Sequence, residues 1–274
     1  MSALTSALSI LSILSGVAWL AWQFERRRPI DSSVDALHVL AEWRMTALTV
    51  VLVQLSAPIT AICSTRIVGF FGGGLIHLPT KGGWYLASLL VLVLAVDLFR
   101  YAMHRLSHAV PFLWAMHSFH HSAEAISLLT GARHHWVEQV MNNGFLPMLA
   151  IIFAFPPGMA VIVSIVFFLP DGCSHLNLRF RMGRAVTWIN NPQWHRIHHS
   201  VQPEHQNKNF AALLPLWDLV FGTAWIPAAD EYPRAGLVPS EVPPLIVGAV
   251  WPFRNQLRRL LASLHRWNLA KLRL

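Results

Sequence analysis

Twelve of the chain's 15 histidines lie between residues 104 and 205, and their spacing is regular. His104 and His108 form HxxxH, His117, His120 and His121 form HxxHH, and His195, His198 and His199 form a second HxxHH. On a helix, positions i, i+3 and i+4 share a face, so each box presents its imidazoles together. Eight imidazoles in three such clusters can hold two metal ions. Imidazole suits iron, zinc and copper alike, so ligand type alone does not name the metal. One i, i+4 histidine pair is common by chance, whereas two HxxHH copies with an HxxxH upstream are not.

Asp97 precedes His104 by seven residues, two helical turns along the same face. A carboxylate inside an apolar segment is costly and by default functional, and a hydrogen bond to a ligating imidazole is its natural use. Glu124 and Glu138 are candidates for the same role. For all three, a salt bridge to Arg100, Arg105 or Arg133 is the competing reading. Cys63 and Cys173 stand far apart, which supports neither a disulfide framework nor a zinc ribbon.

The elements that must position these boxes are apolar. The 274 residues are 54% hydrophobic and 12% charged, with a net charge of +8 and a mean hydropathy of +0.46. An ordinary soluble domain is about a quarter charged, and a chain this apolar is not disordered. A bilayer core about 30 Å thick takes about 20 apolar residues of helix. Uncharged windows run over residues 2–24, 45–65 and 84–96, with a glycine-rich loop at 69–83. The first is read as a retained membrane helix and not a signal peptide, because its arginines follow the apolar run. Continued to His108, the third helix is about 37 Å long, so its last turns leave the hydrocarbon carrying histidines. Residues 139–170 are uncharged but split by Pro156-Pro157-Gly158, which predicts a re-entrant helical hairpin of two short limbs. The fold expected is therefore an all-α integral membrane protein of about three spanning helices plus a re-entrant hairpin, with a histidine-rich helical metal domain.

Of the 21 lysines and arginines, only Arg66 and Lys81 fall in the loop opposite the histidines. The positive-inside bias then puts the histidine boxes on the cytoplasmic face. Three regions are expected: N-terminal membrane helices and loop at 1–83, a catalytic core at 84–225, and a basic amphipathic segment at 226–274. That last segment reads equally as a helix on an anionic membrane surface or packed on the protein itself. No recognition motif accompanies the basic charge, so nucleic acid is not an expected partner.

The order HxxxH, HxxHH, HxxHH on a hydrophobic chain resembles the fatty acid hydroxylase and sterol desaturase superfamily of integral-membrane di-iron enzymes. Further likeness lies in Asp97 and Tyr101 before the first box, Leu113-Trp114 between boxes, and Glu124 after the second. It continues in Arg133-His134-His135-Trp136-Val137-Glu138, His175-Leu176-Asn177, Asn191-Pro192, Asn209-Phe210 and Leu216-Trp217-Asp218 to Phe221-Gly222-Thr223. The resemblance covers roughly residues 84–225. It departs at Asn207-Lys208-Asn209-Phe210-Ala211, where the family often has Asp-x-Asn-Tyr-Gly, and at Arg179, which stands where lipid 2-hydroxylases complete another HxxxH. The short gap between His108 and His117 sets the chain apart from acyl-CoA desaturases.

The resemblance adds His135 and His175 as ligands, giving His104, His108, His117, His120, His121, His135, His175, His195, His198 and His199. His134 either substitutes for His135 or caps surface structure. His205 reads as a solvated loop residue, and His38, His77 and His265 as structural or surface. The resemblance implies two iron ions that activate O2 as co-substrate to hydroxylate, or desaturate, a C–H bond of an acyl-chain, ether-lipid or sterol-like substrate. No Rossmann fingerprint, CxxCH or iron–sulfur cysteine set is present, so electrons are expected from a separate donor protein. The rivals are a histidine-rich metal transporter, a bis-histidine haem protein and a non-catalytic metal-binding membrane protein.

Overall fold

The computed structural model describes residues 3–145 and 148–237. The proposed basic helix among residues 238–274, with His265, lies outside the described residues. The chain is helical, in the order α1 (Ala3–Glu25), α2 (Ala36–Phe70), α3 (Trp84–Ala109), α4 (Pro111–His121), α5 (Trp136–Phe145), α6 (Leu149–Ile152), α7 (Pro157–Ser174), α8 (Pro192–His198) and α9 (Leu216–Val220). Two-residue strands β1 (Ile76–His77) and β2 (Phe153–Ala154) pair in parallel.

Three helices are long and apolar enough to cross a membrane, with windows at Thr5–Glu25, Ala36–Phe70 and Trp84–Ala109. Ile13, Leu20, Leu55, Ile59, Leu86 and Leu90 stand exposed along them, the composition of a surface that faces lipid. The protein is an integral membrane protein. At 35 residues α2 is about 52 Å long and begins well before the uncharged window. Asp35 caps it by accepting from the His38 N–H. Its early turns carry Glu42, which pairs with Arg133 at 3.3 Å, and Thr49, whose hydroxyl donates to the His134 carbonyl. The extension therefore braces the segment entering α5.

The hairpin differs from the two equal limbs expected. Its descending limb is α5, the single turn α6 and β2, whereas the returning limb is one 18-residue helix, α7. Its tip reaches the far loop, where Ile76 and His77 pair with Phe153 and Ala154. The backbone amides of Leu75 and Leu78 donate to Ile151 and Ala154. Gly74 lies so close that a Cβ there would sit 2.5 Å from the Ala154 nitrogen. Strand pairing lets a limb too short for a full helix span the same depth as α3, because an extended residue rises about twice as far as a helical one.

α3 and α7 both begin at this far end and both finish at the histidines. They pack through one buried cluster that includes Leu92, Val96, Met159, Val163 and Phe167. The arrangement repeats every four residues: Leu92, Val96, Arg100 and His104 on α3 face Val163, Phe167, Asp171 and His175 on and just after α7. Arg100 and Asp171 pair at 3.1 Å.

Asp97 touches no imidazole. Fully buried, its carboxylate accepts from the Leu213 and Leu214 amides and the Trp217 indole at 2.9, 3.1 and 2.9 Å. It anchors the returning chain to α3. Glu124 is exposed and stands outside the histidine groups. Packing also continues past residue 225: Arg196 donates to the Pro233 carbonyl, Gln193 to that of Ala228, and the Gly236 amide to that of His199. Removing the Asp97 carboxylate would strand three donors at about 1–3 kcal/mol each. Asp97→Ala should therefore lower the melting temperature in detergent by many degrees while Glu124→Ala leaves it nearly unchanged, and equal effects would refute the anchoring role.

Candidate metal centre

Among the described residues nine histidines converge in two adjoining groups, and His117 also forms a third, smaller group with His134 and Glu138. His104, His108, His117, His121 and His198 form the first, and His120, His175, His195 and His199 the second, each residue offering a ligand atom within 4.8 Å of the others in its group. The two HxxHH boxes divide in opposite senses. On α4, His117 and His121 join the first group and His120 the second. On α8 and its C-cap, His198 joins the first and His195 and His199 the second. A step of three residues turns a helix by about 300°, and a step of four nearly closes the turn, so i and i+4 serve one group and the residue between them the other.

Helix starts set this phase. Pro111 occupies the first turn of α4. The Asn191 side chain caps α8 by accepting from the Gln193 and Trp194 amides, with Pro192 in its first turn. α3 overshoots the apolar window and delivers His104 and His108. His175 is the C-cap of α7.

The outward ring nitrogens meet oxygen acceptors. His104 Nδ1 lies 2.9 Å from the Phe210 carbonyl, His198 Nδ1 2.8 Å from that of Lys208, and His175 Nδ1 2.9 Å from that of Asp171. His117 Nδ1 lies 2.7 Å from Glu138 Oε1. An oxygen acceptor requires the proton on Nδ1, which leaves Nε2 a bare lone pair. His104 Nε2 and His117 Nε2 stand 3.1 Å apart, and between two neutral rings protonated on Nδ1 no hydrogen bond can join them. His108 Nε2 and His198 Nε2 are buried and without a partner. Such a set could hold a shared cation. The spacing fits one, because imidazoles bound at about 2.1 Å place cis nitrogens about 3 Å apart. In the second group Nε2 of His175 lies 3.3 Å from that of His120 and 3.0 Å from that of His195.

Burial and then neighbouring imidazoles hold His120, His121, His195, His198 and His199 well below the ordinary histidine pKa. Burial pushes His175 down to about 4. These rings are neutral at pH 7, the state a metal requires. Trp114 lies against His108 and His121, and Phe210 against His104, His108 and His198. They cover one side of the first group.

His135 stands outside both groups. It is buried against Phe119 and Trp136, while its neighbour His134 stacks on His120 with centroids 4.3 Å apart and an angle of 7°. His134 Nδ1 is 3.3 Å from Glu138 Oε2. Burial opposes charge on Glu138, but His117 and His134 outweigh it and keep the carboxyl well below its usual range. Of the three proposed carboxylates, Glu138 alone contacts a converging imidazole. His205 is buried, with Nδ1 2.9 Å from the Ser200 hydroxyl and Nε2 3.2 Å from Glu231, against Trp225. It ties the end of α8 to the downstream chain.

Sequence reasoning left Asp218 and Asn209 as family likeness without a task. Asp218 accepts from the Phe210 and Ala211 amides and from Thr223, which in turn bonds Tyr101. Asn209 bonds the Trp194 and Trp225 carbonyls and accepts from the Trp225 amide. Asn207 and Asn209 adopt φ of 58° and 57°, a conformation asparagine tolerates. Together they aim the Phe210 and Lys208 carbonyls at His104 and His198. A cavity of about 360 Å³ opens beside the histidines between α3, α5 and α7.

Two outcomes are expected of the metal-free protein and of variants. Six histidines have folded pKa values below an unfolded value of about 6.5, so the unfolded chain binds more protons in acid. Their contribution is present above pH 6.5 and is lost as pH falls toward about 4; the raised pKa of His134 opposes this with one group against six. The melting temperature of chelator-treated protein should fall across that window, and a flat profile contradicts the neutral cluster. By elemental analysis, His108→Asn should lose metal that His135→Asn retains.

The fatty acid hydroxylase family model matches residues 89–223. The alkylglycerol monooxygenase of Danio rerio is 33% identical over 148 residues, 54% of this chain and 31% of that protein. The Homo sapiens alkylglycerol monooxygenase is 31% identical over 149 residues, 54% of this chain and 32% of that protein. Ornithine lipid hydroxylase OlsE of Rhizobium tropici is 24% identical over 177 residues, 64% of this chain and 54% of that protein. The chain thus spans about a third of the length of the alkylglycerol monooxygenases it matches and about half that of the ornithine lipid hydroxylase. No solved structure matches. The matched segment holds all nine converging histidines, and through residues 89–223 the chain belongs to the fatty acid hydroxylase family.

Proposed function

We propose that this protein is a membrane-bound di-iron lipid hydroxylase, with one iron held by His104, His108, His117, His121 and His198 and the other by His120, His175, His195 and His199. The observation that carries the reading is the confrontation of Nε2 lone pairs beside a cavity with apolar walls. Five imidazoles in the first group exceed the four ligands of a structural zinc site and suit a five- or six-coordinate ion. When bound, the irons supply reductive activation of O2 for attack on an unactivated C–H bond. The balance is R–H + O2 + two electrons + two protons giving R–OH + H2O. A separate reductant protein brings the electrons.

The chain's own residues orient and seclude. The Phe210, Lys208 and Asp171 carbonyls and the Glu138 carboxylate fix ring tautomers and aim Nε2 inward. Trp114 and Phe210 exclude water from one side. Val96, Phe99 and Phe167 line the substrate side, so an acyl, ether-lipid or sterol-like substrate enters from the bilayer. Lysine and arginine bias supports the cytoplasmic face for the centre. A metal transporter is disfavoured because the histidines crowd one end of α3 instead of lining mid-membrane depth.

Purified protein should contain two irons per chain and convert host lipids to species one oxygen heavier in an O2- and reductant-dependent manner. His120→Ala and His198→Ala should each abolish the conversion. Background metal, or an unchanged lipid profile with and without these substitutions, refutes the reading. In a background lacking Cys63 and Cys173, a cysteine at Glu204 should label only from the cytoplasmic side and one at Thr80 only from the other. The reverse result overturns the orientation.

A further inference from the structure

The cavity is not uniformly apolar, and its polarity is layered. On the parallel helices α3 and α7 the lining runs from His104 and His175, through Arg100 and Asp171, to Val96 and Phe167, each step one helical turn of about 5.4 Å. The third wall, α5, adds Gln139, Asn142 and Asn143. Spaced i, i+3 and i+4, these share a face, and that face lines the cavity. Among the described residues none hydrogen-bonds their side-chain amides. Asn190 lines the cavity beside His195, and its buried Oδ1 also has no partner. Asn142 and Asn143 are exposed and Gln139 is half-buried, so these amides face the open cavity, and amides facing hydrocarbon alone would be costly. Here they form a polar storey between the histidines and the apolar upper walls.

That storey offers hydrogen bonds without free charge. Apart from histidines, the charged residues lining the cavity are Arg100, Asp171 and Glu138. Arg100 is committed to Asp171, and Glu138 to His117 and His134. An anionic head would have to break the Arg100–Asp171 pair and lie close to two carboxylates. A hydroxyl both donates and accepts, as a side-chain amide does. At about 360 Å³ the cavity is near the lower end of small-ligand sites, roughly 300–1,000 Å³, so it holds a head and a short stretch of chain. Phe168 lines the cavity and is 57% exposed. The mouth thus opens on the lipid-facing side of α7, next to exposed Val161 and Ile165.

We propose that Gln139, Asn142 and Asn143 bind the uncharged, hydroxyl-bearing head of the lipid substrate. The head sits one to two helical turns from the histidines and the tail leaves past Phe168 into the bilayer. This rests on the hydroxylase reading and deepens it. The carbons facing the metal centre are those of the head or adjoining it, not those of the distal chain. The three amides are positioning residues that set substrate class and the carbon attacked.

The test uses the metal-loaded full chain in detergent and two probes with tails of the same carbon number, tritiated monopalmitoylglycerol and hexadecyl phosphate, in scintillation-proximity binding. The glycerol-headed probe should bind at least about tenfold more tightly. The double variant Asn142→Leu with Asn143→Leu should lose about tenfold in that binding, with bound metal and phosphate-probe binding unchanged, and Asn143→Gln should largely restore it. Should the double variant not fold, Gln139→Leu alone should show the same selective loss. In turnover KM should rise more than kcat, and fragmentation spectra should place the new oxygen in the head or on the carbon next to it. Equal binding of the phosphate probe, undiminished glycerol-probe binding in a metal-loaded variant, or oxygen in the distal chain overturns the proposal. Selective binding without O2-dependent turnover sinks the hydroxylase reading and leaves the head site standing.

Discussion

The structure depends on one electrostatic conflict. His104 and His117 each commit the Nδ1 proton to an oxygen outside the cluster, so their Nε2 lone pairs face each other at 3.1 Å inside a buried, water-poor space. Neutral imidazoles in that posture repel weakly and stabilise nothing by themselves. Their posture is imposed by what lies behind them, the Phe210 carbonyl and the Glu138 carboxylate. Those in turn are held by Asp218, Asn209 and the α2 brace through Glu42 and Arg133. The metal-free fold therefore presents a preformed site, held by polar anchors and apolar packing away from the histidines.

Those anchors explain why the centre sits where the helices leave the bilayer. α3 needs about 20 residues to cross and has 26, so its surplus forms the platform for His104 and His108. Asp97, near the end of the crossing, binds the 213–217 segment and thereby draws the returning chain, with Phe210, against the platform. The four-residue repeat shared by α3 and α7 connects the apolar depth to the histidines through a single ion-paired step. On the proposed reading a lipid would pass that step on its way to the centre, which is why polarity beside the histidines would bear on selectivity.

Much of this was legible in the sequence, and what was not has physical causes. Spans and boxes register as composition and spacing, properties that one helix sets locally. The assignment of Asp97 to imidazoles failed because sequence gives the face of a helix but not which distant strand of chain arrives there; three N–H groups 116 to 120 residues downstream did. His134 and His135 are adjacent, so spacing could not choose between them, and the choice is made by the turn entering α5. The hairpin's depth escaped because helix length was taken as reach, whereas β2 extends the short limb. His205 looks solvated among polar residues, yet the Ser200 hydroxyl meets its Nδ1 and the Glu231 carboxylate lies 3.2 Å from its Nε2, and burial of a polar residue is decided by such partners.

Charge balance completes the logic. Both converging groups consist of neutral ligands, so ions held there would keep their charge in a low-dielectric setting where it acts strongly. The carboxylate near the cluster, Glu138, lies 2.7 Å from His117 Nδ1, on the side of that ring away from Nε2, and forms a third group with His117 and His134. It offsets charge through the ring and leaves the inward positions to imidazole. Arg100 stands only one turn from His104, and a free guanidinium there would add to that positive field. Asp171 cancels it at 3.1 Å. The ion pair thus does two things at once: it keeps a cation from opposing metal binding, and it leaves the entrance to the centre polar but without net charge.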